Sequence, residues 1–325
     1  MPNLALPPES TDELRLADWM ELLAILSPDG NSSRGDLESA LTTASVFDSQ
    51  GPDALEEKVL NVFSELESRG FAAEDAYPFS IDGSVLSVKS RIERFVPYIF
   101  CLCLSYYRWS TKRNWEIALN PWLLFEELSS AAAAKFLGGD VYRFGTSRSS
   151  TESAFKTAVN ELCLKLGEGG KFKKRPTLNR QDDKVDLVGW RDFPDKQTSK
   201  LLLFGQCAGG SIWTDKVSEL QPDAFCNHWM DDPPLSPIIR SFYIPHRVQS
   251  THWDFYARKS GILFDRCRIA YWTWDGDEAI TLDSRFKEWY EFIMRVPTAQ
   301  KKPRKSAKKK TIKKMVKKKL STKAA

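Results

Sequence analysis

The sequence predicts an α/β protein whose single mixed central sheet is flanked by helices, preceded by an all-α module and followed by a disordered basic tail. Three observations predict this class. Apolar residues recur at helical spacing through the first third of the chain. After residue 120, helix-like and strand-like segments alternate. The last 26 residues are highly charged and weakly apolar. The predicted boundaries are 1–115, 116–298 and 299–325.

The N-terminal module is predicted from four amphipathic segments. The capping cluster Ser10-Thr11-Asp12 precedes apolar residues at helical spacing that continue to Leu26. Further apolar stripes predict helices over residues 34–44, 52–69 and 86–108. Residues 1–70 hold 14 acidic and 4 basic residues. This charge indicates a solvated acidic face or, alternatively, a surface that docks another protein.

The α/β domain is predicted from the alternation that follows. A helix over residues 121–136 begins at Pro121, a residue favoured at the first helical position, and ends before Gly138-Gly139. The continuous apolar segment 201–206 predicts a central strand with both faces buried. The remaining predictions are strands over 140–144, 182–190, 238–244 and 268–274, and helices over 150–166, 213–220 and 286–294.

Composition excludes several classes. Hydrophobic residues make up 42% of the chain and charged residues 28%, which is typical of a globular protein. No apolar run approaches the ~20 residues of a membrane span, and the N-terminus lacks a signal-peptide pattern. We therefore expect a cytoplasmic protein without membrane partners, or one associated with the nucleoid. The six cysteines form no C-x-x-C pair, which predicts reduced core thiols and no structural zinc. No phosphate-binding loop of the nucleotide hydrolases occurs.

Polar residues interrupt the two central strands where chemistry is expected. Lys184 and Asp186 alternate with apolar residues, so an extended backbone would place both on one face. Gln206 ends the neighbouring apolar strand. Carboxylate and amide oxygens are ligands that Mg²⁺ prefers, and such an ion could act on a phosphodiester. These residues could instead cap turns and satisfy backbone groups.

This pattern resembles the PD-(D/E)XK nuclease superfamily, with its restriction-endonuclease-like fold, and particularly its Mrr-like restriction and phage-defence members. The resemblance covers roughly residues 120–275. The segments that carry it are Val185-Asp186-Leu187-Val188-Gly189-Trp190, Gln206, Gly209, Phe125-Glu126-Glu127-Leu128, Gly138-Gly139 and Arg143-Phe144-Gly145. It implies a metal-dependent DNA endonuclease that uses Mg²⁺ or Mn²⁺ in restriction or anti-phage defence.

The resemblance also implies roles for single residues. Asp186 would be the central metal-binding carboxylate and Gln206 the second ligand. Glu126 or Glu127 would be the helix glutamate that completes the metal site or orients water.

The chain departs from the family pattern at Ala208, where the family has a lysine. Lys216, which is preferred here, or Lys184 could replace that lysine. Its absence leaves open an inactive nuclease-like protein that binds DNA or acts as an adaptor with a helicase, an ATPase or another defence-system subunit.

Other candidates carry less weight. Cys207 and the Trp-rich segment 271–274 are interpreted as core residues, and His246 as a loop residue with a local hydrogen bond. Arg266 and Arg268 could contact phosphate or form internal ion pairs.

The C-terminal tail carries 13 basic and no acidic residues, which leaves 34 basic against 43 acidic residues in the rest of the chain. Like charges at this density predict disorder, and lysines that neutralise phosphates predict salt-sensitive DNA binding without sequence readout. A solubility tail and an anionic-membrane anchor are the alternatives. The predicted DNA-binding residues are Lys301, Lys302, Arg304, Lys305, Lys308, Lys309, Lys310, Lys313, Lys314, Lys317, Lys318 and Lys319.

Overall fold

A computed structural model describes residues 4–7, 11–47, 51–107, 120–144, 152–173, 184–274 and 284–295. The predicted basic tail, 299–325, and its DNA-binding residues lie outside these described residues.

The N-terminal region combines four helices with a small sheet. Its elements are α1 (Glu13–Leu26), β1 (Asn31–Ser33), α2 (Arg34–Thr43), α3 (Pro52–Ala73), β2 (Phe79–Asp82), β3 (Val85–Val88) and α4 (Val96–Tyr107). The strands pair antiparallel in the order β1-β3-β2, so the prediction of an all-α module is wrong. Strands of three or four residues are too short to display an alternating pattern. The helix predicted from residue 86 accordingly begins at Val96.

The α/β region confirms the mixed sheet with flanking helices. It consists of α5 (Pro121–Leu137), β4 (Asp140–Arg143), α6 (Glu152–Leu166), β5 (Gly169–Phe172), β6 (Leu187–Arg191), β7 (Leu201–Cys207), α7 (Pro222–Trp229), β8 (Met230–Asp232), β9 (Ile238–Tyr243), α8 (Ser250–Ser260), β10 (Ile262–Phe264), α9 (Arg266–Thr273) and α10 (Ser284–Arg295). The five-stranded sheet has the order β10-β9-β7-β6-β4. Strand β6 is antiparallel to both of its neighbours, β4 and β7, whereas β9 is parallel to both of its neighbours, β7 and β10. A separate pair joins β5 and β8.

Strand β7 is central and buried on both faces, as its apolar sequence predicts. Leu203 belongs to the cluster beneath α5, together with Leu187 of β6. Leu202 and Phe204 belong to a second cluster, which α6 and α7 cover on the opposite face. This burial holds the end of β7, where Gln206 lies, in a rigid position.

Two further element predictions are wrong. The segment predicted as a strand over 268–274 is helix α9, because the Asp265 carboxylate accepts the Arg268 amide at 3.0 Å and caps the first turn. The helix predicted over 213–220 is a single 3₁₀ turn at Trp213–Asp215. The following α-helix starts only at Pro222, which suits the first helical turn.

The N-terminal and α/β regions share one hydrophobic core rather than forming separate domains. One cluster of buried side chains contains Leu16 of α1, Phe100 of α4, Phe125 of α5 and Trp289 of α10. Residues up to Arg295 accordingly form a single compact unit. The predicted boundary at 115/116 lies outside the described residues.

Candidate active site

Asp186 lies directly before β6 and makes hydrogen bonds to three described residues. Its amide donates to the Gly205 carbonyl at 2.8 Å, and its carbonyl accepts the Phe144 amide at 2.7 Å. Its carboxylate Oδ2 accepts the Cys207 amide at 2.7 Å. The residue is 3% exposed. The carboxylate is therefore fixed at the carboxyl end of β7, beside the peptide that follows Gln206.

Gln206 is buried beside this carboxylate with a defined amide orientation. Its Nε2 donates to the Glu219 Oε2 at 3.0 Å. Only the amide nitrogen can donate to a carboxylate, so the other end of the group is the oxygen. That oxygen, Oε1, is buried and has no hydrogen-bond partner among the described residues. A buried acceptor without a donor is unusual, and an ordered water, a cation or a donor ligand would satisfy it.

Glu219 is a site residue that sequence reasoning missed. It lies in the irregular segment between β7 and α7, where its amide donates to the Lys216 carbonyl at 3.0 Å. No motif connects Gln206 with Glu219 along the chain. The separation of 13 residues also includes the wrongly predicted helix. The two side chains meet only because this segment turns back over the end of β7.

The lysine candidates differ in their backbone setting. Lys216 is half-buried and lies on the same turn as Glu219. Lys184 has a φ of 50°, in the left-handed region, so the extended backbone assumed for a shared face with Asp186 is absent there. Ala208 is buried in an apolar cluster with Val217 and Phe242. Of the two lysines, Lys216 thus shares a turn with Glu219, the residue that contacts Gln206.

The two helix glutamates of α5 have different partners. Glu127 pairs through one oxygen with Arg143 and through the other with Arg285 Nη2 at 2.8 Å. Its carboxylate is thus engaged in structural ion pairs. Glu126 is half-buried, with Oε2 shielded from solvent. Helix α5 covers one face of the sheet, and the alternation of side chains along β7 places Gln206 on the opposite face. Glu126 can therefore approach Gln206 only around the end of β7.

Glycines near both ends of α5 allow this helix to pack closely against the sheet. At Gly209, which follows β7, an added Cβ would overlap the ring of Trp122 in the first turn of α5. At Gly139 an added Cβ would collide with the Trp190 carbonyl of β6. Gly138 itself adopts the left-handed conformation that ends α5. Gly139 and Gly209, both quoted for the family resemblance, thus have a packing function in this chain.

Among the described residues, no group of three or more His, Cys, Asp and Glu side chains is placed to hold a metal ion. The oxygens near the end of β7 belong to the carboxylates of Asp186 and Glu219 and to the amide of Gln206. An all-oxygen set suits Mg²⁺ and Mn²⁺ rather than zinc. These residues fit such an ion because Gln206 Oε1 has no hydrogen-bond partner among the described residues.

The other sequence candidates have structural partners. His246 is half-buried between the Ser105 hydroxyl, 2.9 Å from Nδ1, and the Gly209 carbonyl, 3.1 Å from Nε2. Burial lowers the pKa of His246 to about 4, so the imidazole is neutral at pH 7. Arg266 forms an internal ion pair with Asp18 at 2.6 Å, which excludes it from phosphate contact.

No protein-family model, no curated protein and no solved structure matches this chain. Within the part of the chain that the structure describes, no helix has the length and apolar character that a membrane span requires.

Proposed function

We propose that this protein is a metal-dependent DNA endonuclease of the PD-(D/E)XK type, with its active site at the carboxyl end of β7. The single observation that carries the proposal is the Gln206 amide. Glu219 orients it, and its buried Oε1 lacks a partner among the described residues. The next residue, Cys207, donates its amide to the carboxylate of Asp186, which lies beside the adjacent strand. A mixed sheet with acidic and amide oxygens on two neighbouring antiparallel strands supports the same class.

Asp186 and Gln206 would hold a divalent cation, and Glu126 is the further carboxylate ligand that the family resemblance suggests. When bound, such an ion offsets charge on the scissile phosphate and lowers the pKa of a coordinated water. The residues of the chain have separate tasks. Cys207 orients the Asp186 carboxylate through its amide, and Glu219 orients the Gln206 oxygen. Lys216 supplies the positive charge that Ala208 cannot.

Binding of DNA is assigned to the basic tail. The remainder of the chain has nine more acidic than basic residues, so its net charge repels a polyanion. The 13 basic residues of the tail would hold DNA near the site without selecting a sequence. Restriction or anti-phage defence is the biological setting that the family resemblance suggests for this activity.

The proposal is tested by incubating the full-length protein with plasmid DNA and Mg²⁺ or Mn²⁺. We expect cleavage by the wild type and a loss of about 100-fold or more in Asp186→Asn. Asp82→Asn, an exposed position on β2, is the matched control and should cut normally. Calorimetric Mn²⁺ binding should weaken in Asp186→Asn and in Gln206→Leu. Cleavage that survives in Asp186→Asn would refute this site.

A second candidate is an inactive nuclease-like protein that binds DNA or serves as an adaptor for a helicase or ATPase. The specific observation in its favour is Ala208, which is buried in an apolar cluster where the family lysine is expected. This candidate predicts salt-sensitive DNA binding without cleavage in either metal. Co-purification with an ATPase partner would support the adaptor role.

A further inference from the structure

A concave site lies away from the end of β7. It is a cavity of about 740 Å³ between α3, α5, α8, β10 and α9. Its volume is within the range of about 300–1,000 Å³ that is typical of small-molecule sites. Aromatic side chains dominate its lining: Phe71, Phe136, Trp253, Phe264, Tyr271 and Trp272. The segment 271–274, interpreted from the sequence as core, therefore contributes two side chains to a cavity wall.

Arg268 is the cation available in this cavity. Its guanidinium carbon lies 4.4 Å from the centre of the Trp253 ring, and its Nη1 donates to the Leu263 carbonyl at 2.9 Å. Among the described residues it has no ion-pair partner, and its Nε and Nη2 make no hydrogen bond. Arg268 is exposed overall, and the partial desolvation of its guanidinium lowers its pKa, while the nearby charge of Asp265 opposes this shift.

Arg247 also lines the cavity, but its hydrogen-bonding groups are committed elsewhere. Its guanidinium bonds Asp265, Glu65 Oε1 at 3.3 Å and Ser68 Oγ at 3.2 Å. Among the described residues that line the cavity, Arg268 therefore carries the one positive charge without an ion-pair partner. A ligand with one anionic group matches that charge.

The remaining polar groups of the wall are mostly donors. Within the described part of the chain, the indole nitrogens of Trp253 and Trp272 and the hydroxyls of Ser250 and Tyr271 have no hydrogen-bond partner. A wall of aromatic rings and free donors suits a ligand with a flat ring and several acceptor atoms. The exposed carboxylates Glu74 and Asp254 at the rim would repel a polyanion, which favours a single phosphate or carboxylate.

We propose that this cavity binds a small planar aromatic molecule that carries one phosphate or carboxylate group, with the anion on Arg268 and the ring among Trp253, Tyr271 and Trp272. The shared chemistry has two sources, a nucleoside monophosphate and an aromatic carboxylate. This site is independent of the proposed nuclease function, so either proposal can fail without the other.

Isothermal calorimetry on the full-length protein tests the proposal with adenosine monophosphate and indole-3-carboxylate. Their neutral counterparts, adenosine and indole-3-methanol, and inorganic phosphate serve as reference compounds. We expect at least one aromatic anion to bind, about tenfold or more tighter than its neutral counterpart and than phosphate alone. The compound that binds distinguishes the two sources. Absence of binding by both anions at millimolar concentration would overturn the proposal.

Variants then locate the site. Arg268→Gln should weaken binding about tenfold or more, whereas Arg258→Gln, an exposed position on α8 outside the cavity, should not change it. Ser250→Trp fills the cavity from the start of α8 and should block binding, which keeps a decisive variant if Arg268→Gln fails to fold. Asp186→Asn should bind normally. Equal affinity in Arg268→Gln, or unchanged binding in Ser250→Trp, would overturn the proposal.

Discussion

Asp18 is a buried carboxylate that links the N-terminal helices to the sheet region. It lies on α1 and is 3% exposed. Its Oδ1 accepts Arg69 Nη1 of α3 at 2.9 Å and Arg266 Nη2 of α9 at 2.6 Å. Its Oδ2 accepts the Ser105 hydroxyl of α4 at 3.2 Å. Four helices from both regions therefore meet at one carboxylate.

The substitution Asp18→Asn keeps the shape and removes the charge. An amide has only one acceptor oxygen, so its nitrogen must face a donor that the carboxylate now satisfies. Arg266 is fully buried, and its Nε and Nη1 already lack hydrogen-bond partners among the described residues. After the substitution, the contact with Glu21 at 3.5 Å would be its remaining contact with a carboxylate among these residues. Removing one member of a buried ion pair typically costs about 3–5 kcal/mol. Against a total of about 5–15 kcal/mol, this is a large fraction.

Urea unfolding followed by tryptophan fluorescence and by far-ultraviolet circular dichroism measures the effect. We expect one cooperative transition in the wild type and a loss of about 3–5 kcal/mol in Asp18→Asn. Glu57→Gln, an acid-to-amide change at an exposed position on α3, should stay within about 0.5 kcal/mol. A loss below about 1 kcal/mol, or separate transitions for the two regions, would refute the reasoning.

Three further predictions follow from buried groups and from the tail. Burial lowers the pKa of His246 to about 4, so between pH 6.5 and 4 the unfolded state binds a proton that the folded state does not. The free energy of unfolding should therefore fall by up to about 3 kcal/mol as the pH drops through this window. His246→Asn should flatten this pH profile in urea unfolding. Gly209→Ala should lose about 1–3 kcal/mol of unfolding free energy because its Cβ overlaps Trp122, whereas Gly210→Ala meets nothing within 4 Å and should be near neutral; equal losses in thermal unfolding would contradict the packing argument. Deleting residues 296–325 should abolish most of the salt-dependent DNA affinity measured by filter binding and should leave the unfolding free energy of the remaining chain unchanged. Undiminished DNA affinity at low salt would show that other residues bind DNA.

The sequence predicted the long amphipathic helices and the central strands well. The capping prediction at Asp12 is confirmed, since its carboxylate accepts the amides of Leu14 and Arg15 at 2.9 and 3.3 Å. Central strand β7 was recognised because an apolar run of that length has to be buried on both faces. The failures are short or ambiguous segments. The three N-terminal strands are too brief for periodicity, and α9 is rich in residues that also favour strands.

Local sequence therefore determined where single elements begin, which strand is central and that Asp186 and Gln206 end neighbouring strands. It did not determine that Glu219 orients Gln206, that Glu127 is engaged by two arginines, or that Arg268 is left without a carboxylate. These facts depend on contacts between residues distant along the chain, and local propensity carries no information about such contacts. Burial then decides their energetic weight, because the same charge is inexpensive at the surface and strongly coupled to its neighbours in the core.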